Sequence, residues 1–186
     1  IEASSIRFNK VVTGADFALS AQVGADFTAF TTWGQDDFMN RYLLNVYHEK
    51  GVGFYEQVAA LKTIAQNFKP DVMLLEKNQF QAIYSQVLIK ETAYPIKPFE
   101  TTSKKQDLKT GVPGLVLLFE NSKIKMPRGN AYSIMQTDKI TNEFNHIAFT
   151  DKGIQGVGEH DDLVMSTWLA MKAMEYDGDE FLYDYV

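Results

Sequence analysis

Apolar and β-branched residues dominate the first stretch of the chain and predict strands. Lys10 to Ser20 (KVVTGADFALS) runs apolar with a single carboxylate, Asp16, inside it. A short loop, Ala21 to Ala25, leads into Phe27 to Gly34 (FTAFTTWG), whose aromatic and β-branched residues suit a pleated surface. Asp36-Asp37 reads as a turn, and Phe38 to His48 (FMNRYLLNVYH) as a third strand. The connections are short, so the three strands are expected to form an antiparallel meander.

The period then changes. Tyr55 to Asn67 places Val58, Leu61, Ile64 and Ala65 on one helical face, and Pro70 ends that helix. Asp71 to Glu76 (DVMLLE) is a short apolar run suited to a buried parallel strand. Gln79 to Glu91 reads as a helix, Tyr94 to Phe99 as a short strand, and Leu108 to Asn121 as helical after Pro113. Lys123 to Met126 resembles a short edge strand, Ser133 to Phe144 a helix, and Ala148 to Val157 a hairpin around Lys152-Gly153. Asp162 to Tyr176 is an apolar-faced helix. Three antiparallel strands followed by alternating helices and strands predict an α/β fold: a mixed sheet with helices on both faces.

Composition narrows the chemistry. At 186 residues, with 45% hydrophobic and 23% charged residues, the chain suits one globular domain, with a core over about residues 10–176. It has no cysteine, so disulfides and thiolate metal sites are excluded. No apolar run is long enough to span a bilayer. The N-terminus lacks the layout of a signal peptide and an initiator methionine, which suggests a cytoplasmic protein and a piece of a longer chain. No G-x-x-x-x-G-K-[ST] loop, G-x-G-x-x-G turn or G-x-S-x-G elbow is present, which argues against those ATPase, dinucleotide-binding and hydrolase classes.

A net charge of −6 runs against nucleic-acid binding, but the charge is unevenly spread. Lys97 to Arg128 carries seven basic and three acidic residues, a local +4, while Glu175 to Val186 holds five acids and no base. The basic segment is either a phosphate-binding face or a solvated one.

Three positions stand out as hard oxygen ligands on rigid elements. Asp16 lies in the first apolar strand, Glu76 ends the fourth, and Asp161-Asp162 opens the last helix. If the first and fourth strands are neighbours, both strand ends and the helix start meet at one edge of the sheet. Each acid also has a plainer role available. Asp16 suits a turn or cap, Glu76 a solvated strand end, and one of Asp161 and Asp162 a helix N-cap. Asp26, in the loop before the second strand, faces either the same edge or its own turn. His160 is either a metal neighbour or a loop histidine bonded to backbone. His48 and His146 show no partner pattern.

These motifs resemble the C-terminal nuclease domain of the large subunit of tailed-phage terminases, the DNA-packaging motors. The first is Thr13-Gly14-Ala15-Asp16-Phe17-Ala18 followed by Gly24-Ala25-Asp26-Phe27-Thr28. The second is Leu74-Leu75-Glu76-Lys77-Asn78, followed by Thr101-Thr102-Ser103-Lys104-Lys105. The third and most specific is His160-Asp161-Asp162-Leu163-Val164-Met165. The resemblance spans about Val11 to Met174 and leaves out the acidic tail of residues 177–186.

The resemblance implies a ribonuclease H-like fold and two Mg²⁺ or Mn²⁺ ions held by Asp16, Glu76 and Asp162, with Asp161 secondary. It further implies Asp26, Asn78 and His160 beside them, while the local charge of the basic segment makes Lys104, Lys105, Lys109 and Arg128 the expected DNA contacts. The implied reaction is hydrolysis of double-stranded DNA with little sequence preference. The implied partners are a packaging ATPase domain absent from this sequence, the portal and the small terminase subunit. The implied setting is the host bacterial cytoplasm and not the mature virion. The rivals are a Holliday-junction resolvase or transposase-type nuclease of the same fold, and a non-catalytic DNA-binding or assembly module.

Overall fold

The computed structural model describes residues 6–18, 27–77, 95–100, 107, 111–150, 153–156 and 161–176. Eight strands and four helices are found among them. The strands are β1 (Lys10–Asp16), β2 (Phe27–Gln35), β3 (Arg41–Lys50), β4 (Val72–Glu76), β5 (Ile96–Phe99), β6 (Ile124–Lys125), β7 (Ile147–Thr150) and β8 (Gly153–Gly156). The helices are α1 (Phe54–Phe68), α2 (Gly114–Glu120), α3 (Ala131–Asn145) and α4 (Asp162–Met174). The helix expected over Gln79 to Glu91 lies outside the described residues.

The main sheet has the order β5-β4-β1-β2-β3-β6, and β7 and β8 form a separate antiparallel hairpin. β1, β2 and β3 are antiparallel neighbours, while β4 and β5 run parallel to β1 on its other side. The expected meander and the expected adjacency of the first and fourth strands are both present.

Side chains alternate across the sheet and feed two cores. Val12, Ala29, Trp33, Val72 and Leu74 pack on the face covered by α4. Ala15, Phe30, Met73 and Leu75 pack on the opposite face with Val58, Leu61, Ile64 and Ala65 of α1. Burial on both faces explains why β4 is a continuous apolar run and not an alternating one. Helix α4 is buried almost all round, with Lys172 its one residue that is not fully buried. A helix apolar around its whole circumference belongs in an interior, and this one lies against β1, β2 and β4.

Two expected strand boundaries shift. β1 stops at Asp16 and not Ser20, because the Ala18 amide turns to the Thr28 hydroxyl at 3.3 Å and leaves the ladder. β3 starts at Arg41 and not Phe38. The Asp36 carboxylate accepts from the Phe38 and Asn40 amides, both at 2.9 Å, and bends Phe38 to Asn40 into the turn. Met39, at φ 62°, sits in the left-handed region within it.

Candidate functional site

The topology brings three element ends to one edge of the sheet. Asp16 ends β1 and Glu76 ends β4, and the parallel register pairs Ala15 with Leu75 just before them. By strand alternation Asp16 shares a face with Val12 and Gly14, and Glu76 with Val72 and Leu74, so both belong to the α4 face. Helix α4 runs antiparallel to β1. Its C-terminal end is tied to the start of β1, where the Lys10 ammonium donates to the carbonyls of Met174 at 2.8 Å and Tyr176 at 2.6 Å. Cations are favoured at such helix ends. Midway along, Gly14 lies against the backbone of Ser166 and Ala170. The first turn of α4, with Asp161 exposed and Asp162 buried, is thereby carried toward the ends of β1 and β4.

Asp161 occupies the N-cap position but makes no side-chain cap hydrogen bond, so capping does not account for its carboxylate. Asp26, Asn78, His160, Lys104, Lys105 and Lys109 lie outside the described residues. Among the described residues, no group of three or more histidine, aspartate or glutamate side chains is set to hold a metal ion. Asp16, Glu76 and Asp162 are all described, so what the topology aligns is the ends of their elements and not a closed set of side chains; carboxylate oxygen is the ligand a hard divalent cation takes, and the chain has no thiolate to compete.

Two residues with no motif around them, Glu143 and His48, join this edge. Glu143 of α3 is buried, and its Oε2 accepts from the Leu163 amide at 2.8 Å. Its Oε1 lies 3.4 Å from Nε2 of His48. In the sheet, Ala29 is paired with Asp16 on one side and His48 on the other, so Asp16, Ala29 and His48 form one row across three strands. The Phe27 ring packs on the His48 imidazole with centroids 4.2 Å apart. The signal that would have found Glu143 is an acid on the buried stripe of α3, in line with Gln136 and Ile140.

Burial, and then the negative charges of Asp162 and Asp161, push the Glu143 carboxyl up, while the Leu163 and Val164 amides pull it down; it ends at about 7. An acid whose folded value is raised favours the fold when protonated. That contribution is complete below about 4.5, shrinks as pH rises and is gone above about 7. Metal-free protein is expected to lose on the order of 2 kcal/mol from this group between about pH 4.5 and about pH 8. Glu143→Gln should not share that loss, so urea unfolding in a chelator should show the variant gaining on wild type as pH rises. A stability difference that does not change with pH would remove Glu143 as the cause.

Of the basic segment, Lys97 lies on β5 and Lys125 on β6, at opposite edges of the sheet. Arg128, expected to contact DNA, donates to exposed Asp138 at 2.8 Å. Exposed pairs of this kind contribute little to stability. A cleft of about 760 Å³ lies elsewhere, between the start of β1 and α3, and its lining includes Phe8, Leu44, Phe68 and Arg128. Val11 and not Asp16 lines it, so it is separate from the acidic edge.

A family model described as the terminase RNase H-like domain matches residues 13–174. No curated protein matches the chain. Among solved structures, the large terminase nuclease from thermophilic phage G20c is 21% identical, with a TM-score of 0.65 over 90% of this chain and 83% of that one. A variant of the large terminase subunit from bacteriophage sf6, solved with calcium, is 10% identical, with a TM-score of 0.61 over 88% of each chain. The yeast mitochondrial Holliday junction resolvase is 14% identical, with a TM-score of 0.51 over 90% of this chain and 80% of that one. These likenesses show the fold, a ribonuclease H-like mixed sheet with helices on both faces.

Proposed function

Since this chain belongs to the terminase RNase H-like domain family, we propose that it is a metal-dependent endonuclease that cuts double-stranded viral DNA during genome packaging. What supports this reading is the topology: β1 and β4, adjacent and parallel, each end in an acid, and α4, antiparallel to β1, begins with Asp161 and Asp162 on the side of those ends. Binding DNA alone does not call for acids facing phosphate, which favours catalysis over a passive binding module. When bound, Mg²⁺ or Mn²⁺, in a pair, would supply Lewis acidity for the attack of water and the departure of the 3′ oxygen.

The chain's own residues would do the positioning. Asp16 and Glu76 project from adjacent parallel strands of a rigid sheet, and Asp162 from a helix packed against that sheet. Asp161, Asp26, Asn78 and His160 would stand around them. The packaging ATPase domain, portal and small terminase subunit are the proposed partners, and the host bacterial cytoplasm the proposed setting. No helix among the described residues is long and apolar enough to cross a membrane.

Nicking and linearisation of supercoiled plasmid in Mn²⁺, abolished by chelator, is the expected result. Preference for a four-way junction over linear duplex would move the reading to a resolvase. Metal-independent binding without cleavage would reduce it to an assembly module.

Lys104 and Lys105, which follow the second acidic motif, are proposed to contact the DNA backbone, with Lys109 and Arg128 secondary. Each phosphate contact contributes roughly 0.9 to the slope of log affinity against log salt, so Lys104→Ala with Lys105→Ala should flatten it by about 2. Binding is measured in Ca²⁺ on two unrelated duplexes. An unchanged slope would make these lysines a solvated face.

A further inference from the structure

The start of α4 is capped by a different helix. A helix N-terminus leaves its first amides without intrahelical partners, and the N-cap side chain ordinarily accepts from the second or third of them. Asp161 stands at that position and supplies no such bond. The acceptor comes instead from α3, where Glu143 Oε2 takes the amide of Leu163, the second residue of the helix, at 2.8 Å. The two residues are twenty apart in sequence, and the bond is buried.

Glu143 has a buried neighbour of its own. His48 Nε2 stands 3.4 Å from its other oxygen, and the side chains of both are nearly buried, at 12% and 9% exposure. His48 is fixed in turn by its place on β3 and by the Phe27 ring, at 4.2 Å between centroids. A chain of contacts therefore runs from the sheet through His48 and Glu143 to the first turn of α4. It ends one residue past Asp162. His48 also stands in the cross-strand row that contains Asp16.

We propose that Glu143, with His48 beside it, is the positioning residue of this edge: it caps α4 in place of Asp161 and fixes Asp161 and Asp162 relative to Asp16. The substitution of a distant cap for the local one has a clear use. An aspartate folded back onto its own helix amides has its oxygens committed there, whereas a cap supplied by α3 leaves the Asp161 carboxylate out of that bond. The capping itself stands on the geometry alone. Its consequence for a metal site rests on the nuclease reading, and the two are separated in the test.

The test uses the whole chain and two readouts. The first is hydrogen exchange of the Leu163 amide in metal-free protein, with the buried Leu169 amide as internal reference. A buried amide left without its acceptor loses that bond outright, so Glu143→Ala should lower Leu163 protection roughly tenfold or more relative to Leu169. Glu143→Gln keeps an acceptor oxygen at the same reach and should restore protection to within about threefold of wild type. His48→Ala should move the same amide in the same direction by less.

The second readout is the Mn²⁺ concentration for half-maximal plasmid cleavage. It should rise about tenfold in Glu143→Ala and return toward wild type in Glu143→Gln, as for other residues that orient metal ligands. Unchanged Leu163 protection in Glu143→Ala would overturn the cap, as would equal loss in the Gln and Ala variants. If Glu143→Ala does not fold, Glu143→Asp, one methylene short of the amide, reads the same proton. Altered protection with an unchanged Mn²⁺ requirement would overturn the positioning of Asp161 and Asp162. A wild-type protein that cleaves nothing in any divalent ion would sink the nuclease reading, while the exchange measurement would still decide the cap.

Discussion

Asp16→Asn and Asp162→Asn are each expected to abolish Mn²⁺-dependent DNA cleavage while leaving the protein folded. Asparagine keeps the shape of aspartate and removes the charge, so the loss reads chemistry and not packing. A divalent ion contributes several kcal/mol to a charged transition state, and losing an anionic ligand should cost about a thousandfold or more in rate. Asp16 ends β1, so neutralising it breaks no interior ladder. Asp162 is buried at the start of α4, and its charge is one of the causes that push Glu143 up. Removing that charge relieves repulsion, so metal-free Asp162→Asn should melt no lower than wild type. Plasmid nicking and circular dichroism together settle each residue's role. Wild-type nicking by either variant would take that residue out of the mechanism, and loss of the far-ultraviolet signal would make its role structural.

Elements with one clear burial pattern were legible in the sequence. Val58, Leu61, Ile64 and Ala65 line the buried face of α1 as their spacing predicts. The run from Val72 to Leu75 is buried on both faces of the sheet, as its unbroken apolar character predicts. Ends were less legible, because apolar residues continue past the hydrogen-bonded ladder. Phe17 and Ala18 are buried beyond the end of β1, while Phe38 and Met39, at 77% and 50% exposure, lie in a turn that Asp36 organises.

The candidate site divides along the same line. Asp16, Glu76 and Asp162 stand out because each is an acid at the end of an apolar element. Glu143 and His48 do not, since their meeting depends on the register of β3 and on how α3 packs, neither of which is a local property of sequence. The same holds for Lys97 and Lys125, close in sequence but placed on β5 and β6 at opposite edges of the sheet.

Gly14→Ala is expected to be among the most damaging single-methyl additions in the protein. A Cβ on Gly14 would run into the Ser166 carbonyl oxygen and the Ala170 amide nitrogen, both backbone atoms of α4. No side chain can swing away, so the helix itself must lift off the sheet. It is anchored against lifting: the Ser166 hydroxyl bonds the buried Thr31 hydroxyl at 3.0 Å, and Lys10 holds the last turn. Overpacking a close backbone contact of this kind should cost about 3 kcal/mol or more, and lower the melting temperature by roughly 10 °C in a domain of this size. Gly34→Ala is the control, since the nearest atoms to its Cβ belong to the Phe8 ring, at 2.7 Å, and a ring can move. Its cost should be about 1 kcal/mol. The absence of a side chain at Gly14 is also what lets α4 lie close enough to β1 to carry Asp162 toward Asp16. Cleavage by folded Gly14→Ala, measured well below its melting point, should therefore fall by more than the unfolded fraction explains. Stability within about 1 kcal/mol of wild type would show that α4 does not press on β1 at this glycine.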